Sequence, residues 1–329
     1  MSVIDKGSSD DLTKANAVVP VEVVGREHVA LDVVALELCP TDGSQLPPWS
    51  PGAHVDLVLP SGLTRQYSLC GDPSRLGAYQ IAVHRVDHGR GGSMEVHEHL
   101  LPGAIVGIRP PRNRFPLVNA EKYVFVAGGI GITPISAMVR EIEARGLPWR
   151  LVYGGRSLDR MAFTDDLTAL GSDRVELVPQ DEAGFPDLRA VVRDAPAGAA
   201  VYCCGPAPML AAIEHEVSAT RDDIELRIER FVAPDEPQGE RQAFEVELRR
   251  SGVTVTVPAD RSILDVVIDA IGDVEFSCEQ GICGACETKV LAGRPEHHDE
   301  LLSPEERAEG VTMMICVGRS KTPRLVLDL

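Results

Sequence analysis

The residues with the most informative spacing are four cysteines near the C-terminus. Cys278, Cys283 and Cys286 are separated by four and two residues, and Cys316 follows thirty residues later. This spacing is typical of the thiolate ligands of a plant-type [2Fe–2S] cluster. Two glycines within the loop allow its backbone to turn closely around one edge of a cluster and to aim N–H groups at the sulfurs. Such a cluster transfers one electron at a time, so the motif predicts an electron-transfer protein.

Two other interpretations of these cysteines are a zinc site and disulfide bonds. Structural zinc sites usually pair two short C-x2-4-C segments, and the second segment is missing here. The remaining cysteines are either solitary (Cys39 and Cys70) or adjacent in sequence (positions 203 and 204), which fits a reducing compartment better than a disulfide framework. The cluster is therefore the interpretation that we adopt.

A second group of chemically useful residues stands at the end of a strand-like segment, as Arg65, Gln66, Tyr67 and Ser68. A guanidinium binds phosphate well, and an aromatic ring can lie against a flavin. A serine hydroxyl or a neighbouring amide can hydrogen-bond the reactive flavin N5. On its own this pattern is usually just a strand, so it needs support from a second motif.

Such support comes from Gly91-Gly92-Ser93, which precedes a helix-like stretch. Glycines at a helix N-terminus present free N–H groups, which form a natural phosphate site. The alternative is an ordinary helix start with Ser93 as the capping side chain. Both interpretations stay open from the sequence.

Two glycine-rich turns further on predict a nucleotide site. Gly128-Gly129-Ile130-Gly131-Ile132-Thr133-Pro134 follows a strand-like run and opens a helix-like one, with Pro134 expected at the first helical position. It lacks the Gly-x-Gly-x-x-Gly fingerprint. Cys204-Gly205-Pro206 also stands between a strand and a helix. Ligands gather at the carboxyl ends of strands in such sheets, so both turns are consistent with one shared site.

The rhythm of apolar residues predicts three domains that position these groups. Short alternating strands in residues 18–116 indicate an antiparallel β-barrel. Strands alternating with helices in residues 117–232 indicate an α/β domain with a parallel sheet. A linker is expected at 233–242, and residues 243–329 have the size of an α+β ferredoxin module, while residues 1–17 are expected to be a flexible tail.

Composition limits the classes of partner. The net charge of −18 argues against nucleic acid, and no apolar run approaches the length that spans a bilayer. We expect a cytoplasmic, monomeric protein. The histidines other than His84 are expected mostly at the solvated surface. The adjacent pair His297 and His298 is expected to lie in a loop, and metal binding there is not expected because no third ligand is in view.

Taken in order, these motifs resemble the phthalate dioxygenase reductase and vanillate demethylase reductase family of the ferredoxin–NADP reductase superfamily. The segment Pro111-Arg112-Asn113-x-Phe115 also matches the family pattern. The resemblance covers nearly the whole chain beyond its N-terminal tail. It implies a flavin barrel, a nicotinamide domain and a β-grasp ferredoxin domain, with FMN as the flavin, because the chain lacks elements that hold an adenylate half.

Carried over by position, the resemblance implies that Arg65 and the glycine turn ending at Ser93 bind the FMN phosphate, and that Tyr67 packs on the flavin. Ser68, Thr133 and Cys204 are the implied catalytic residues, with Ser68 near N5 and Thr133 reaching the flavin or the nicotinamide. The other implied contacts of flavin and nucleotide are Gln66, Ala82, Val83, His84, Gly91, Gly92, Gly128, Gly129, Gly131, Arg156, Gly205, Pro206 and Phe231.

The resemblance implies an NADH-dependent reductase that passes electrons through FMN and the cluster to a Rieske-type oxygenase or demethylase. A reductase serving a cytochrome P450 is the alternative within the same chemistry. A redox sensor without turnover is the alternative from another class. NADH is expected over NADPH, since Arg156 and Arg160 are the available 2′-phosphate partners and Asp159 beside them would repel that group.

Overall fold

The computed structural model describes residues 18–87, 89–231, 242–272, 274–276 and 278–329. The chain divides into two compact units, Met1–Glu229 and Arg230–Leu329. The predicted tail at 1–17 and all of the predicted linker except Gln242 lie outside the described residues. Within the described part, every helix is too short or too polar to cross a bilayer.

An antiparallel sheet forms the first half of the first unit. Its strands are Val19–Ala30 (β1), Val33–Pro40 (β2), Ala53–Val58 (β3), Thr64–Ser68 (β4), Tyr79–His84 (β5), Ile105–Ile108 (β6) and Arg112–Asn113 (β7), with the helix Gly92–His99 (α1) between β5 and β6. Six strands follow the order β4-β3-β6-β1-β2-β5, and β7 pairs with β3. An antiparallel bridge between Leu69 and Ile81 joins the two ends of this order, so the sheet closes as a barrel.

Strand β3 is buried on both faces although two of its residues are polar. Val55 and Leu57 point into the barrel core, where neither is exposed to solvent. His54 and Asp56 alternate with them and are 7% and 1% exposed. Because a buried carboxylate must be compensated, Asp56 constrains the side chains that surround it.

A parallel sheet forms the second half of this unit. Its strands are Tyr123–Gly128 (β8), Trp149–Gly155 (β9), Val175–Pro179 (β10), Ala200–Cys204 (β11) and Glu225–Glu229 (β12), in the order β10-β9-β8-β11-β12. The helices are Ile132–Ala144 (α2), Thr164–Leu170 (α3), Gln180–Ala183 (α4), Leu188–Arg193 (α5) and Ala207–Thr220 (α6), with short 3₁₀ turns at Gly129–Gly131 and Leu158–Arg160. The strand order changes direction between β8 and β11, where ligands bind in open α/β sheets.

The position of Pro134 differs from the prediction. Helix α2 begins at Ile132, directly after the 3₁₀ turn, so Pro134 is its third residue and not its first. The difference costs no hydrogen bond, because the first four N–H groups of a helix have no partner within it.

The second unit is an α+β fold around a mixed sheet. Its elements are Phe244–Leu248 (β13), Val253–Val257 (β14), Ile263–Ile271 (α7), Glu287–Ala292 (β15), Pro295–Glu296 (β16), Pro304–Glu309 (α8), Thr312–Met314 (β17), Arg319–Ser320 (β18) and Arg324–Leu327 (β19). The sheet order is β14-β13-β19-β15-β17, with β13 and β19 parallel. Cys286 and Cys316 belong to its apolar core, so the core holds part of the cysteine motif in place.

Candidate functional site

Arg65 and the glycine turn before α1 come together at the barrel surface. The Arg65 guanidinium donates to the carbonyl oxygens of Thr64 at 2.8 Å and Arg90 at 2.6 Å. A Cβ added to Gly92 would lie 2.5 Å from Cγ of Arg65, so only glycine leaves room for that side chain. Gly91 has φ 81° and turns the chain into the helix. A cation and free helix N–H groups therefore share one corner, which suits a phosphate.

Ser93 is not the helix cap. Helix α1 begins at Gly92 and its N-cap is Gly91, which makes no side-chain capping bond. The Ser93 hydroxyl instead accepts a hydrogen bond from the Val86 N–H at 3.1 Å. The capping alternative is therefore wrong, and Ser93 ties the preceding loop to the first turn of the helix.

The remaining residues of β4 have different surroundings. Tyr67 packs against the barrel core, and burial raises the pKa of its hydroxyl. Gln66 donates to Asp56 Oδ1 at 3.0 Å, and the same oxygen accepts from Arg112 at 2.7 Å. Ser68, at 6% exposure, lies nearly buried opposite His54 on β3. The buried carboxylate thus fixes one face of β4, while Arg65 and Tyr67 occupy the other.

Strand β5 places its last residues beside the parallel-sheet half of the unit. Ala82 and Val83 are buried, and the Val83 carbonyl lies 2.9 Å from Nε2 of His97. Desolvation lowers the pKa of His84, and the positive charge of Arg156 lowers it further. The structure therefore brings His84 and Arg156 close together, which the separate sequence motifs did not predict.

The two glycine-rich turns pack directly against each other. A Cβ added to Gly131 would lie 2.2 Å from the Cys204 carbonyl oxygen, and one added to Gly128 would lie 2.6 Å from Cδ of Pro206. Gly129 has φ 54° and nothing within 4 Å of an added Cβ, so its surface is open to a ligand. Both turns therefore lie at one edge of the sheet, and two of the glycines allow close packing, while a shared nucleotide site there stays a prediction.

Thr133 lies in the first turn of α2 and is 2% exposed. Its hydroxyl donates to the Ile130 carbonyl at 2.9 Å, which closes the turn. In this conformation the side chain stabilises the glycine turn and does not project from it. Its contact with flavin or nicotinamide stays a prediction.

Glu229 was missed by the sequence reasoning. It ends β12, directly beside Cys204 at the end of β11, and Cys204 Sγ lies 3.9 Å from its Oε2. Burial raises the pKa of Glu229 to about 8, and burial with the nearby carboxylate raises the pKa of Cys204. Both side chains are thus protonated at neutral pH and form a pair at the ligand edge, with Cys204 buried and Glu229 partly buried. A lone acidic residue at the end of a strand was the available signal.

Phe185 is a second residue that the sequence reasoning missed. It follows Gly184 in the loop after α4 and is 78% exposed, although it is a large aromatic side chain. Pro186 holds this loop at β9, since a Cβ added to Gly154 would lie 2.7 Å from its ring. The Asp181 N–H donates to the Arg156 carbonyl at 3.3 Å and joins the neighbouring loop. An exposed ring and an exposed cation thus lie on adjoining loops at the ligand edge.

The loop around the first three cysteines turns its amides toward sulfur. The N–H of Gln280 donates to Cys278 Sγ at 3.2 Å, and the N–H of Ala285 donates to Cys283 Sγ at 3.3 Å. Gly281 has φ 69°, as the predicted tight turn requires. Hydrogen bonds of this kind stabilise thiolate ligands.

The fourth cysteine joins this loop. All four thiols are buried, and Cys278 interacts with both Cys283 and Cys316, while Cys286 interacts with Cys316. These contacts hold the pKa of Cys278 and of Cys286 below the ordinary thiol value. In the described residues, no three His, Cys, Asp or Glu side chains are arranged around a single metal ion. A two-iron cluster takes its four thiolates as two pairs, and the observed contacts fit that arrangement.

Comparison with known proteins identifies matching families and relatives. The sequence profile of the 2Fe-2S iron-sulfur cluster binding domain matches residues 246–321, and that of the oxidoreductase NAD-binding domain matches residues 125–215. The chain is 46% identical to phenoxybenzoate dioxygenase subunit beta of Ectopseudomonas oleovorans, over 91% of this chain and 93% of that protein.

Two solved structures are similar over nearly the whole chain. Phthalate dioxygenase reductase, described as transferring electrons from pyridine nucleotides to [2Fe–2S], is 36% identical with a TM-score of 0.72, covering 95% of this chain and 98% of that one. An intact type IV self-sufficient cytochrome P450 monooxygenase is 39% identical with a TM-score of 0.86. The match covers 100% of this chain but 43% of the P450 chain.

Proposed function

Since the chain belongs to the phthalate dioxygenase reductase and vanillate demethylase reductase family, we propose that it carries electrons from NADH through FMN and a [2Fe–2S] cluster to a separate terminal oxygenase of the Rieske type. It is an NAD(P)H-dependent flavin and iron–sulfur oxidoreductase. One observation supports the proposal most: a single chain combines the phosphate corner at Arg65, the paired glycine turns and four converging cysteines.

The order of transfer follows from the chemistry of the groups. NADH delivers a hydride, which carries two electrons, while a [2Fe–2S] cluster accepts one. A flavin accepts two electrons and releases them singly, so it is required between the other two. The residues of this chain bind and orient the groups. A catalytic base is not required for hydride transfer. In agreement, the hydroxyls of Ser93 and Thr133 make hydrogen bonds within the protein.

We propose FMN as the flavin and assign the site residues accordingly. Arg65 and the turn at Gly91 and Gly92 hold its phosphate, Tyr67 lies against the ring, and Ser68 lies near N5. The choice of FMN is supported by the family to which the chain belongs, and the Arg65 corner supplies a cation and helix N–H groups for its phosphate. Denaturing the purified protein and chromatographing the released flavin tests this: recovered FMN supports the proposal, and recovered FAD refutes it.

The remaining contacts belong to the nucleotide. Gly129 and the turn Cys204-Gly205-Pro206 receive the nicotinamide half. The pair of Cys204 and Glu229 borders the same edge, which keeps two protonated groups beside the reacting atoms. Arg156 binds the outer half of the nucleotide.

NADH-dependent reduction of cytochrome c or ferricyanide tests the proposed activity. A reductase turns over many NADH molecules per flavin, whereas a redox sensor is reduced once and stops. The absorption spectrum of the purified protein must also show both flavin and cluster bands. Reduction limited to a single turnover with every acceptor would contradict the proposal.

A cytochrome P450 is the second candidate partner. The similarity to 43% of the chain of a self-sufficient cytochrome P450 monooxygenase, at 39% identity and a TM-score of 0.86, supports a P450 as this second candidate. Reconstitution with a purified Rieske oxygenase and, separately, with a P450 that lacks its own reductase distinguishes the two. We expect substrate-coupled NADH oxidation with the Rieske oxygenase.

A further inference from the structure

Two buried polar side chains, His297 and Asp299, form a group with the partly exposed Arg307 in the second unit, next to the cysteine loop. The side chain of His297 is 6% exposed and that of Asp299 is 1% exposed. His297 Nδ1 lies 3.6 Å from Asp299 Oδ1, and Arg307 Nη2 lies 4.0 Å from Asp299 Oδ2. The expectation that His297 lies on a solvated loop is therefore half wrong: it is in a loop, but its ring is buried.

This group packs on the loop that carries three of the cysteines. A Cβ added to Gly281 would lie 2.9 Å from Cα of Asp299, so the two backbones are in close contact. The Glu300 N–H donates to the Gly281 carbonyl at 3.0 Å. Gly281 stands between Cys278 and Cys283 without being a ligand, so Asp299 contacts the loop at a non-ligand residue, and His297 is connected to the loop through Asp299.

The group is incompletely hydrogen-bonded within the described residues. Asp299 Oδ2 accepts from the N–H groups of Leu301 and Leu302, which fixes the carboxylate at the start of α8. Both ring nitrogens of His297, Oδ1 of Asp299 and Nε of Arg307 are buried without a hydrogen-bond partner. Buried polar atoms without a hydrogen-bond partner destabilise the folded protein unless a water molecule or an added proton supplies the missing hydrogen bond.

The charges around His297 determine its state. Desolvation lowers its pKa, Asp299 raises it, and Arg307 on α8 and Lys321 after β18 lower it. The neighbouring His298 faces Glu296, with Nε2 and Oε1 3.5 Å apart. The imidazole of His297 is therefore neutral at neutral pH, and its ring nitrogen is available to a proton once the local charge becomes more negative.

We propose that His297 takes up a proton when the [2Fe–2S] cluster that the four cysteines would hold is reduced by one electron. This inference rests on the proposed function: the electron comes from NADH by way of the flavin, and the proton comes from water. No bond to sulfur forms or breaks; a lone pair of one His297 ring nitrogen accepts the proton, and Asp299 stabilises the imidazolium. Adding a negative charge within a poorly hydrated region favours the cationic form of a nearby group, so electron and proton arrive together.

The test is a potentiometric titration of the cluster with mediators and dithionite from about pH 5 to about pH 8, followed by EPR. The reduction potential of the wild-type protein is expected to fall as the pH rises over part of this range. The slope approaches about 59 mV for each tenfold change in proton activity, the value for one electron and one proton. H297Q is expected to remove the slope, and the matched control H298Q to keep it.

A wild-type potential that does not change with pH overturns the proposal, as does a slope that survives in H297Q or disappears in H298Q. If H297Q fails to assemble a cluster, the same titration of D299N decides. Loss of the carboxylate lowers the proton affinity of His297, so the sloping range must move to lower pH, and an unchanged range overturns the proposal. Dithionite reduces the cluster without NADH, so the titration tests the proton uptake independently of the proposed activity. Failure of the proposed function is recognised separately, by the absence of the cluster EPR signal or of NADH oxidation.

Discussion

The guanidinium of Arg65 is oriented by the protein itself. The carbonyls of Thr64 and Arg90 hold it, and Gly92 gives it room. A hydrogen bond to a charged group contributes about 1.5–3 kcal/mol, so R65A is expected to raise the dissociation constant for FMN by about tenfold to a hundredfold. Fluorescence titration of the flavin-free protein with FMN measures this. The matched control R75A removes an exposed arginine of the same barrel that pairs with Glu37; equal losses in both variants would contradict the assignment.

Glu229 predicts a dependence of stability on pH. Burial raises its pKa from 4.5 to about 8, so the folded chain keeps a proton that the unfolded chain releases above about pH 4.5. Its contribution to stability is therefore fully present below pH 4.5 and is lost as the pH rises through about 8. E229Q is expected to weaken this loss, so that its melting temperature, followed by flavin release, falls less between pH 6 and pH 8 than that of the wild type.

The control for this experiment is E225Q on the same strand, because Glu225 is exposed and pairs with Arg227. It should melt with the pH dependence of the wild type. If E229Q showed the same pH dependence as E225Q, the carboxyl of Glu229 would be ionised in the folded protein at neutral pH. The pair with Cys204 would then need a different explanation.

At the residue scale, sequence reasoning succeeded where a local motif implies the contact. The cysteine spacing predicts which thiols meet, and the two glycine-rich segments after strands predict turns at the carboxyl edge of the parallel sheet, where the structure has them. Glu229 and Phe185 were missed because their positions depend on strand pairing and on a loop held by Pro186. His297 was misjudged for the same reason, since only the fold buries it.

At the scale of elements, the loop after β9 bears on the choice of nucleotide. Arg160 is ion-paired with Asp32 of the barrel, and the Leu31 N–H donates to the Asp159 carbonyl at 2.8 Å. This leaves Arg156 as the exposed cation of that loop, with the acidic residue Asp181 hydrogen-bonded to its carbonyl. A 2′-phosphate therefore meets one exposed arginine and nearby negative charge.

We accordingly expect a higher kcat/KM for NADH than for NADPH at fixed ionic strength. The physical reason is that Asp32 already neutralises Arg160, and Asp159 and Asp181 repel the extra phosphate. D32N removes the ion pair of Arg160 and is expected to lower the ratio of kcat/KM for NADH to kcat/KM for NADPH. D165N, at an exposed position of α3, should leave this ratio unchanged. A wild-type ratio near one, or one favouring NADPH, would refute the expectation and make Arg156 the first residue to replace.

The element boundaries show what the sequence can and cannot predict. Apolar alternation identified the strands, but the start of α2 lies two residues before Pro134, because the 3₁₀ turn at Gly129–Gly131 leads directly into the helix. The sequence left two roles for Ser93 open, helix cap and phosphate ligand, for a similar reason. The positive φ of Gly91 determines where the helix starts, and the side-chain motif does not reveal that backbone angle. The closing bridge between Leu69 and Ile81 is likewise a long-range contact that local patterns do not encode.

At the scale of the whole molecule, the division between Glu229 and Arg230 separates two kinds of chemistry. The residues assigned to hydride transfer, apart from Phe231, lie in the first unit, and all four cysteines of the cluster motif lie in the second. Each unit has its own apolar core. Because neither core borrows residues from the other, loss of the cluster should leave the first unit folded.

C283A is therefore expected to abolish cluster assembly while the flavin remains reducible by NADH. Cys283 is 1% exposed and its sulfur accepts the Ala285 N–H, so its removal takes away one of four ligands and a bond that shapes the loop. Stopped-flow absorbance measures the bleaching of the flavin by NADH, and cytochrome c reduction should fall because single-electron transfer through the cluster is lost.

C39A, which removes a partly exposed cysteine of the barrel, should retain both the cluster and the bleaching. If C283A kept its FMN but lost bleaching, hydride transfer would depend on the second unit, and the two kinds of chemistry would not be separable along the chain.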